Sequence, residues 1–177
     1  GFVRVFKNHI HDNNHINFAP KGNIVGKVPQ GTGLMILATR NVEAFVNRII
    51  NNITASTAIV RYYITEKPIN DKSYKPFPGN IYIQDNYYDR LRVRATGKGR
   101  MGKMYRFKLR FGKDVPHIQY DGIEDDSNKN RNICLKDNEN ATFVNIDAAN
   151  NFKNKSFDMS VHDCEQAPIP GVTLSLK

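Results

Sequence analysis

Basic residues are concentrated in one short stretch of this sequence. Ten of its 26 Lys and Arg residues lie between Arg90 and Lys113, and that stretch contains no acidic residue. Arginine side chains bind oxyanions through two parallel hydrogen bonds, and several clustered cations bind a polyanion in a salt-sensitive way. The stretch is therefore the candidate polyanion-binding site. Its predicted contact residues are Arg90, Arg92, Arg94, Lys98, Arg100, Lys103, Arg106, Lys108 and Arg110.

The spacing of these cations predicts how they are presented. Between residues 90 and 95, and again between 105 and 111, basic and apolar residues alternate. Because strand side chains point alternately to opposite faces, we predict a β-hairpin over 90–113 with one basic and one apolar face. Like charges on facing strands repel, so the basic face needs an anion. That anion is either another molecule or the acidic residues that follow in the chain, which are Asp121, Glu124, Asp125 and Asp126.

The glycines within this stretch resemble a nucleotide-binding signature. Residues 97–103 read G-x-G-x-x-G-K. A phosphate-binding loop needs a helix after it, so that the helix N-terminus meets the phosphates. The alternation over residues 104–111 favours a strand instead. We therefore predict that these glycines form the turn of the hairpin, and no nucleotide cofactor is expected.

The other chemistry-bearing residues form no specific motif. His9 and His11 would share one strand face beside Asp12, which is the nearest arrangement to a metal site, but no further ligand is indicated. His162 and Asp163 lie beside Cys164, yet adjacent strand residues point to opposite faces, so this cluster makes no catalytic triad by itself. We therefore predict no catalytic residue, metal or cofactor. The two cysteines permit a disulfide without implying one.

Length and charge restrict the class of protein. With 177 residues, the chain is predicted to form a single domain over 1–177, and the proline-rich connection 66–80 is the only candidate subregion boundary. The net charge is +9, whereas residues 90–113 alone carry +10, so the rest of the chain is nearly neutral. No apolar run approaches the ~20 residues of a transmembrane helix. A virion or secreted protein is therefore favoured over a membrane protein. The Gly1 start fits a processed chain, and it fits an artificial start equally well.

Periodicity predicts the elements that position this stretch. Apolar residues at helical spacing between Val42 and Ile53 predict one amphipathic helix over about 41–53. No internal repeat is evident. Short alternating or apolar runs predict strands at Phe2–Phe6, Gly33–Thr39, Thr57–Thr65, Ile81–Ile83, Asp89–Ala95, Lys103–Phe111, Asn132–Lys136, Thr142–Asp147, Ser156–Val161 and Val172–Leu176. Many short strands favour a mainly β fold, an antiparallel β-sandwich or jelly-roll-like barrel, with α+β as the alternative.

The sequence thus favours a non-enzymatic structural or binding domain whose basic hairpin contacts a polyanion. Nucleic acid is the first choice, as in a viral coat (capsid) or nucleoprotein subunit that forms a homo-oligomer. A secreted adhesin or lectin-like domain that binds anionic glycans is the alternative. A nuclease is the second alternative, and it requires a histidine or acid next to the basic face.

Overall fold

The computed structural model describes residues 1–20, 22–97, 102–123 and 133–171. Over these ranges the chain forms a parallel β-helix of eleven strands in three sheets, and every pairing between named strands is parallel. Successive strands belong to different sheets. Each of the first three turns adds one strand to each sheet, and the fourth adds one to the first sheet and one to the third.

The first sheet contains β1 (Val3–Phe6), β4 (Arg40–Phe45), β7 (Gly79–Gln84) and β10 (Ile133–Lys136). The second contains β2 (His9–His11), β5 (Arg48–Ile50) and β8 (Tyr87–Asp89). The third contains β3 (Thr32–Leu37), β6 (Ala55–Val60), β9 (Ile118–Tyr120) and β11 (Phe143–Asn145). Short helical segments lie in the connections: Val25–Lys27, Tyr62–Thr65, Ala148–Asn150 and Ser160–His162 are 3₁₀ turns, and Met104–Leu109 is π-helical.

The core lies inside the coil, where side chains from equivalent positions stack. Val42 is in register with Ile81, and Ile81 with Ile133. All three are buried in one apolar cluster that also takes residues from the other two sheets. Because inward positions stack on their equivalents one coil away, a β-helix can bury an apolar core with strands of only three to six residues.

A ladder of asparagines fixes the corner between the first and second sheets. Each ladder residue follows a residue with left-handed backbone, and each except the last donates through its backbone N–H and Nδ2 to Oδ1 of the next. Asn47 and Asn86 are almost completely buried. Since buried amides cost free energy unless they are bonded, the ladder holds the coils in one register. The ladder consists of Asn8, Asn47, Asn86 and Asn138.

A disulfide fastens the end of the described chain to the β-helix. Cys134 in β10 is bonded to Cys164, a pairing that the sequence left open. Two hydrogen bonds hold the same segment, from Gln166 Nε2 to the carbonyl of Ile81 and between His162 Nδ1 and the carbonyl of Ile133. The disulfide and these bonds therefore hold the segment against β7 and β10 of the first sheet.

The predicted antiparallel sandwich or jelly roll is wrong, because the sheets are parallel throughout the described chain. Alternation and strand propensity indicate that a segment is a strand but not which strand pairs with it or in which direction. The internal repeat was also missed. Asn8, Asn47 and Asn86 are 39 residues apart, but long connections of unequal length separate the strands.

The predicted helix over 41–53 is wrong as well. This segment forms β4, a two-residue corner and β5. Its inward side chains are Val42, Ala44, Asn47 and Ile49, all nearly inaccessible to solvent, whereas Val46 at the corner is 48% exposed. Because these buried side chains are spaced two, three and two residues apart, their pattern in the sequence resembles the buried face of a helix. The corner therefore produced the misleading periodicity.

The predicted hairpin over 90–113 is absent from the described residues. Residues 90–97 contain no strand, and Met104–Leu109 is π-helical, with Tyr105 and Leu109 buried four residues apart. Phe107, which would lie on the apolar face of the predicted hairpin, is 60% exposed. The alternation in this stretch therefore reflects helical burial plus an irregular loop. Residues 98–101 of the predicted turn lie outside the described residues.

The predicted C-terminal strands also differ. Ser156 makes one isolated antiparallel bridge with Asn145, and Ser160–His162 is a 3₁₀ turn, so Ser156–Val161 is not a strand. Val172–Leu176 lies outside the described residues. The proline-rich connection 66–80 leads from β6 towards β7 within the same β-helix.

Candidate anion-binding cleft

The long connection between β8 and β9 carries most of the predicted site, and it forms one wall of a cleft of about 870 Å³. The opposite wall comes from residues 141–143 and 155–159, so the cleft joins segments distant in sequence. We call it the anion cleft. Its ionisable lining residues are Arg90, Arg92, Arg110, Lys113, Lys155, Asp114 and His117.

Arg90 holds the wall of the cleft in place. Its two terminal nitrogens donate to the backbone carbonyls of Lys113, Ile53 and Val93, at 2.9–3.0 Å. These bonds tie both ends of the connection to the corner that precedes β6. Burial of the guanidinium lowers the pKa of Arg90, with Asp114 opposing that shift. Most of the bonding capacity of Arg90 is therefore used within the protein.

Arg92 has the only carboxylate among the lining residues as its partner. Its Nε and a terminal nitrogen donate to the two oxygens of Asp114, at 2.6 and 3.2 Å. The hydrogen bond from Arg92 holds the pKa of Asp114 below its usual value, and the same contact raises the pKa of Arg92. Both side chains are largely exposed. The chain thus neutralises part of its own basic stretch with Asp114. The acidic residues at 124–126 lie outside the described residues.

The remaining cations of the cleft are available to a ligand. Arg110 donates from Nε to the carbonyl of Phe107, which leaves its terminal nitrogens without a partner among the described residues. Lys155 makes one weak bond of 3.3 Å to the carbonyl of Leu109, and Lys113 is exposed. Arg110 also has a left-handed backbone with φ of 54°, which is uncommon for a residue other than glycine and costs backbone energy.

His117 contributes shape without charge. Its Nδ1 accepts the backbone N–H of Thr142 at 3.1 Å, which places the proton of the neutral ring on Nε2. Burial, and secondarily the charge of Arg90, lowers the pKa of His117 to about 4. At neutral pH the ring is therefore uncharged. Its Nδ1 is occupied by a backbone donor and is not available as a base.

Aromatic rings form the apolar part of the lining. Phe111 and Phe157 meet edge to face with their centroids 6.3 Å apart, and Phe157 is 58% exposed. Phe143 is buried at the back of the cleft. Apolar rings beside unpaired cations are typical of sites whose ligand has both an apolar face and negative charge.

The predicted contact residues do not share one face. Arg90, Arg92 and Arg110 line the anion cleft, whereas Arg94, Arg106 and again Arg110 line a smaller pocket of about 240 Å³. Lys103 and Lys108 are exposed but line neither cavity. Lys98 and Arg100 lie outside the described residues.

Sequence reasoning missed several lining residues of the cleft. Lys113 and Asp114 end the basic stretch, so their place in the sequence could have suggested them. His117 and Lys155 carry no local signal, because only the coil of the β-helix brings residue 155 next to residue 110.

The other residues considered from the sequence are the histidines near Asp12 and the cysteine at 164, and within the described chain they form neither a metal site nor a nucleophile. The rings of His9 and His11 lie 4.2 Å apart, and His11 Nδ1 is 2.9 Å from a carboxylate oxygen of Asp12. In the part of the chain that the structure describes, no three His, Cys, Asp or Glu side chains come together to hold a metal ion. Cys164 is held in the disulfide and cannot act as a nucleophile.

No helix within residues 1–20, 22–97, 102–123 and 133–171 has the length and apolar character needed to cross a membrane. Comparisons with known protein families, with curated proteins and with solved structures find no match for this chain.

Proposed function

We propose that this protein binds an acidic polysaccharide chain in the anion cleft. The observation that carries the proposal is the lining of that cleft, where the described residues combine five Lys or Arg side chains with a single carboxylate, the exposed ring of Phe157 and the half-buried ring of Phe111. Cations attract carboxylate or sulfate groups, and the rings accept the apolar faces of sugar rings.

The dimensions of the cleft suit a short length of chain. About 870 Å³ lies within the ~300–1,000 Å³ of typical ligand clefts and exceeds what a single small ion needs. Because Arg92 is shared with Asp114 and Arg90 with backbone carbonyls, the attraction rests mainly on Arg110, Lys113 and Lys155. Binding should therefore be moderate and salt-sensitive.

The disulfide supports a glycan as the ligand. Disulfides such as Cys134–Cys164 form and persist in oxidising compartments outside the cytosol. Acidic polysaccharides are abundant polyanions in such surroundings. The role as a nucleic-acid-binding coat or nucleoprotein subunit that the sequence favoured remains a prediction, which the same assay tests.

A binding panel tests the proposal. A fluorescently labelled chondroitin hexasaccharide, a single-stranded oligodeoxythymidylate of similar charge and a neutral dextran fragment are titrated with the protein at low and at physiological salt. We expect the acidic glycan to bind best, to weaken as salt screens the cations, and dextran not to bind. Tighter binding of the oligonucleotide would favour the nucleic-acid role, and absence of glycan binding at low salt would overturn the proposal.

A further inference from the structure

Beside the anion cleft lies the smaller pocket of about 240 Å³, which we call the arginine pocket. We propose that it is a subsite for a sulfate or phosphate monoester group carried by the bound glycan. This inference rests on the proposed function, and it names the substituent that the protein would select. The lining residues are Arg94, Ala95, Tyr105, Arg106, Arg110, Phe111, Gly112 and Val115.

Charge distinguishes the arginine pocket from the anion cleft. Three of its eight lining residues are arginines and none is acidic, whereas the cleft contains Asp114. Among the described residues, Arg94 and Arg106 have no carboxylate within ion-pair distance, and both are exposed. Three cations without a counterion in the described part of the chain favour an anionic group, because each repels the others until negative charge is supplied.

The number of guanidinium groups favours an ester of sulfate or phosphate over a carboxylate. Each guanidinium presents a planar fork of donors that matches pairs of oxygens on an oxyanion. A monoester presents three terminal oxygens, so it can engage three guanidinium groups at once. A carboxylate has only two oxygens with about four acceptor sites, so it accepts fewer of the hydrogen bonds that three guanidinium groups can donate. Ala95, Tyr105 and Val115 form the mainly apolar part of the lining. Among these three, only the hydroxyl of Tyr105 could compete with a ligand as a hydrogen-bond acceptor for the arginines.

The position of the pocket fits a substituent on a chain in the cleft. Arg110, Phe111 and Val115 line both cavities, so the two are adjacent. The pocket volume is several times the ~30 Å³ that a water molecule occupies in the liquid, which is enough for one charged group but small for a chain. A glycan lying against Phe111 could therefore direct one ester group into the pocket.

Gly97 controls where Arg106 lies. A Cβ atom placed on Gly97 would come within 2.8 Å of Cδ and 3.2 Å of a terminal nitrogen of Arg106. Gly97 has no left-handed φ, so alanine is tolerated by its backbone. The substitution Gly97→Ala would therefore displace the arginine side chain at little cost to the fold and without any change of net charge.

The test compares sulfated with unsulfated chondroitin hexasaccharide on the full chain. We expect the wild type to prefer the sulfated form by about tenfold, as charge-assisted hydrogen bonds of this kind imply. The variants Arg106→Gln and Gly97→Ala should lose most of this preference while they keep their affinity for the unsulfated chain. Lys108→Gln removes the same charge from the same helical segment but lines neither cavity, so it should behave as wild type.

Glucose 6-sulfate and glucose 6-phosphate are then added as competitors, and either should reduce the preference of the wild type for the sulfated chain. The competitor that does so at the lower concentration identifies the monoester that the pocket takes. If wild type binds both hexasaccharides equally, or Arg106→Gln retains the preference, the arginine-pocket proposal is overturned while glycan binding stands. If neither hexasaccharide binds, the proposed function itself fails, and this inference fails with it.

Discussion

The arginines of the basic stretch differ in what they do, and their partners explain the difference. Arg90 donates to three backbone carbonyls, whereas Arg92 faces solvent and pairs with Asp114. The sequence identified both as cations of a binding face. It could not show that Arg90 serves the fold, because two of the accepting carbonyls, those of Ile53 and Lys113, belong to distant segments.

This difference predicts unequal effects of the same substitution. Arg90→Lys keeps the charge but cannot span three carbonyls, so the free energy of unfolding should fall by about 2 kcal/mol. Arg92→Lys, at an exposed ion pair, is the matched control and should change it by less than ~1 kcal/mol. Urea unfolding measures both, and equal values for the two variants would show that Arg90 is not a structural residue.

Because His117 is partly buried, we expect the free energy of unfolding to depend on pH. The folded-state pKa of about 4 is below the unfolded value of about 6.5, so acidification protonates the unfolded chain first. The free energy of unfolding should therefore fall as the pH drops from about 6.5 towards 4. At a pH near 5 we expect His117 to account for about 1 kcal/mol of that loss, after allowance for its partial exposure.

The substitution His117→Gln isolates this contribution. Glutamine can still accept the backbone N–H of Thr142 but does not titrate, so the variant should show a smaller decrease in unfolding free energy between neutral pH and pH near 5. Identical decreases in variant and wild type would refute the assignment.

At the scale of elements, about half of the described strands were predictable and their arrangement was not. Apolar runs located β3, β6, β7 and β10, because buried strands are recognisable from composition. Corners of the β-helix shift the alternation, which is why β4 and β5 resembled a helix. The asparagine spacing was the available signal for the repeat, and it was obscured by the many other asparagines in the chain.

Replacing asparagines of the ladder by alanine should lower the free energy of unfolding, and by more at a buried position than at the exposed end. Asn47 accepts from Asn8 and donates to both the carbonyl of Val5 and Oδ1 of Asn86, all in a buried corner. Asn47→Ala leaves several of these groups unpaired, so we expect a loss of about 3 kcal/mol. Asn8→Ala removes the exposed end of the ladder and should cost less than half as much. Urea unfolding of both variants checks the order, and a reversed order would contradict the role of the ladder.

At the scale of the whole molecule, the disulfide closes a loop with a sequence separation of 30 residues. A cross-link of this length restricts the unfolded chain and is worth roughly 3–4 kcal/mol by the chain-entropy estimate. We therefore expect the double variant Cys134→Ala, Cys164→Ala to unfold at lower urea concentration. The wild type under reducing conditions should behave in the same way. Unchanged unfolding in both cases would mean that the disulfide does not restrain the chain.

The coil of the β-helix also explains why only part of the binding site could be predicted from the sequence. The basic stretch identified one wall of the anion cleft, since its charge is local in the chain. The other wall, with Lys155 and Phe157, depends on the coil that returns the chain to the same side. A prediction that assumed antiparallel neighbours had no means of placing these residues beside Arg110.

The most direct test of the central claim compares two charge-matched variants in their affinity for the chondroitin hexasaccharide at low salt. Lys113→Gln with Lys155→Gln removes two cations that line the anion cleft. Lys108→Gln with Lys153→Gln removes two exposed cations that do not. We expect the first pair to weaken binding about tenfold and the second less than about threefold. Equal weakening by both pairs would show that net charge, and not the cleft, determines binding.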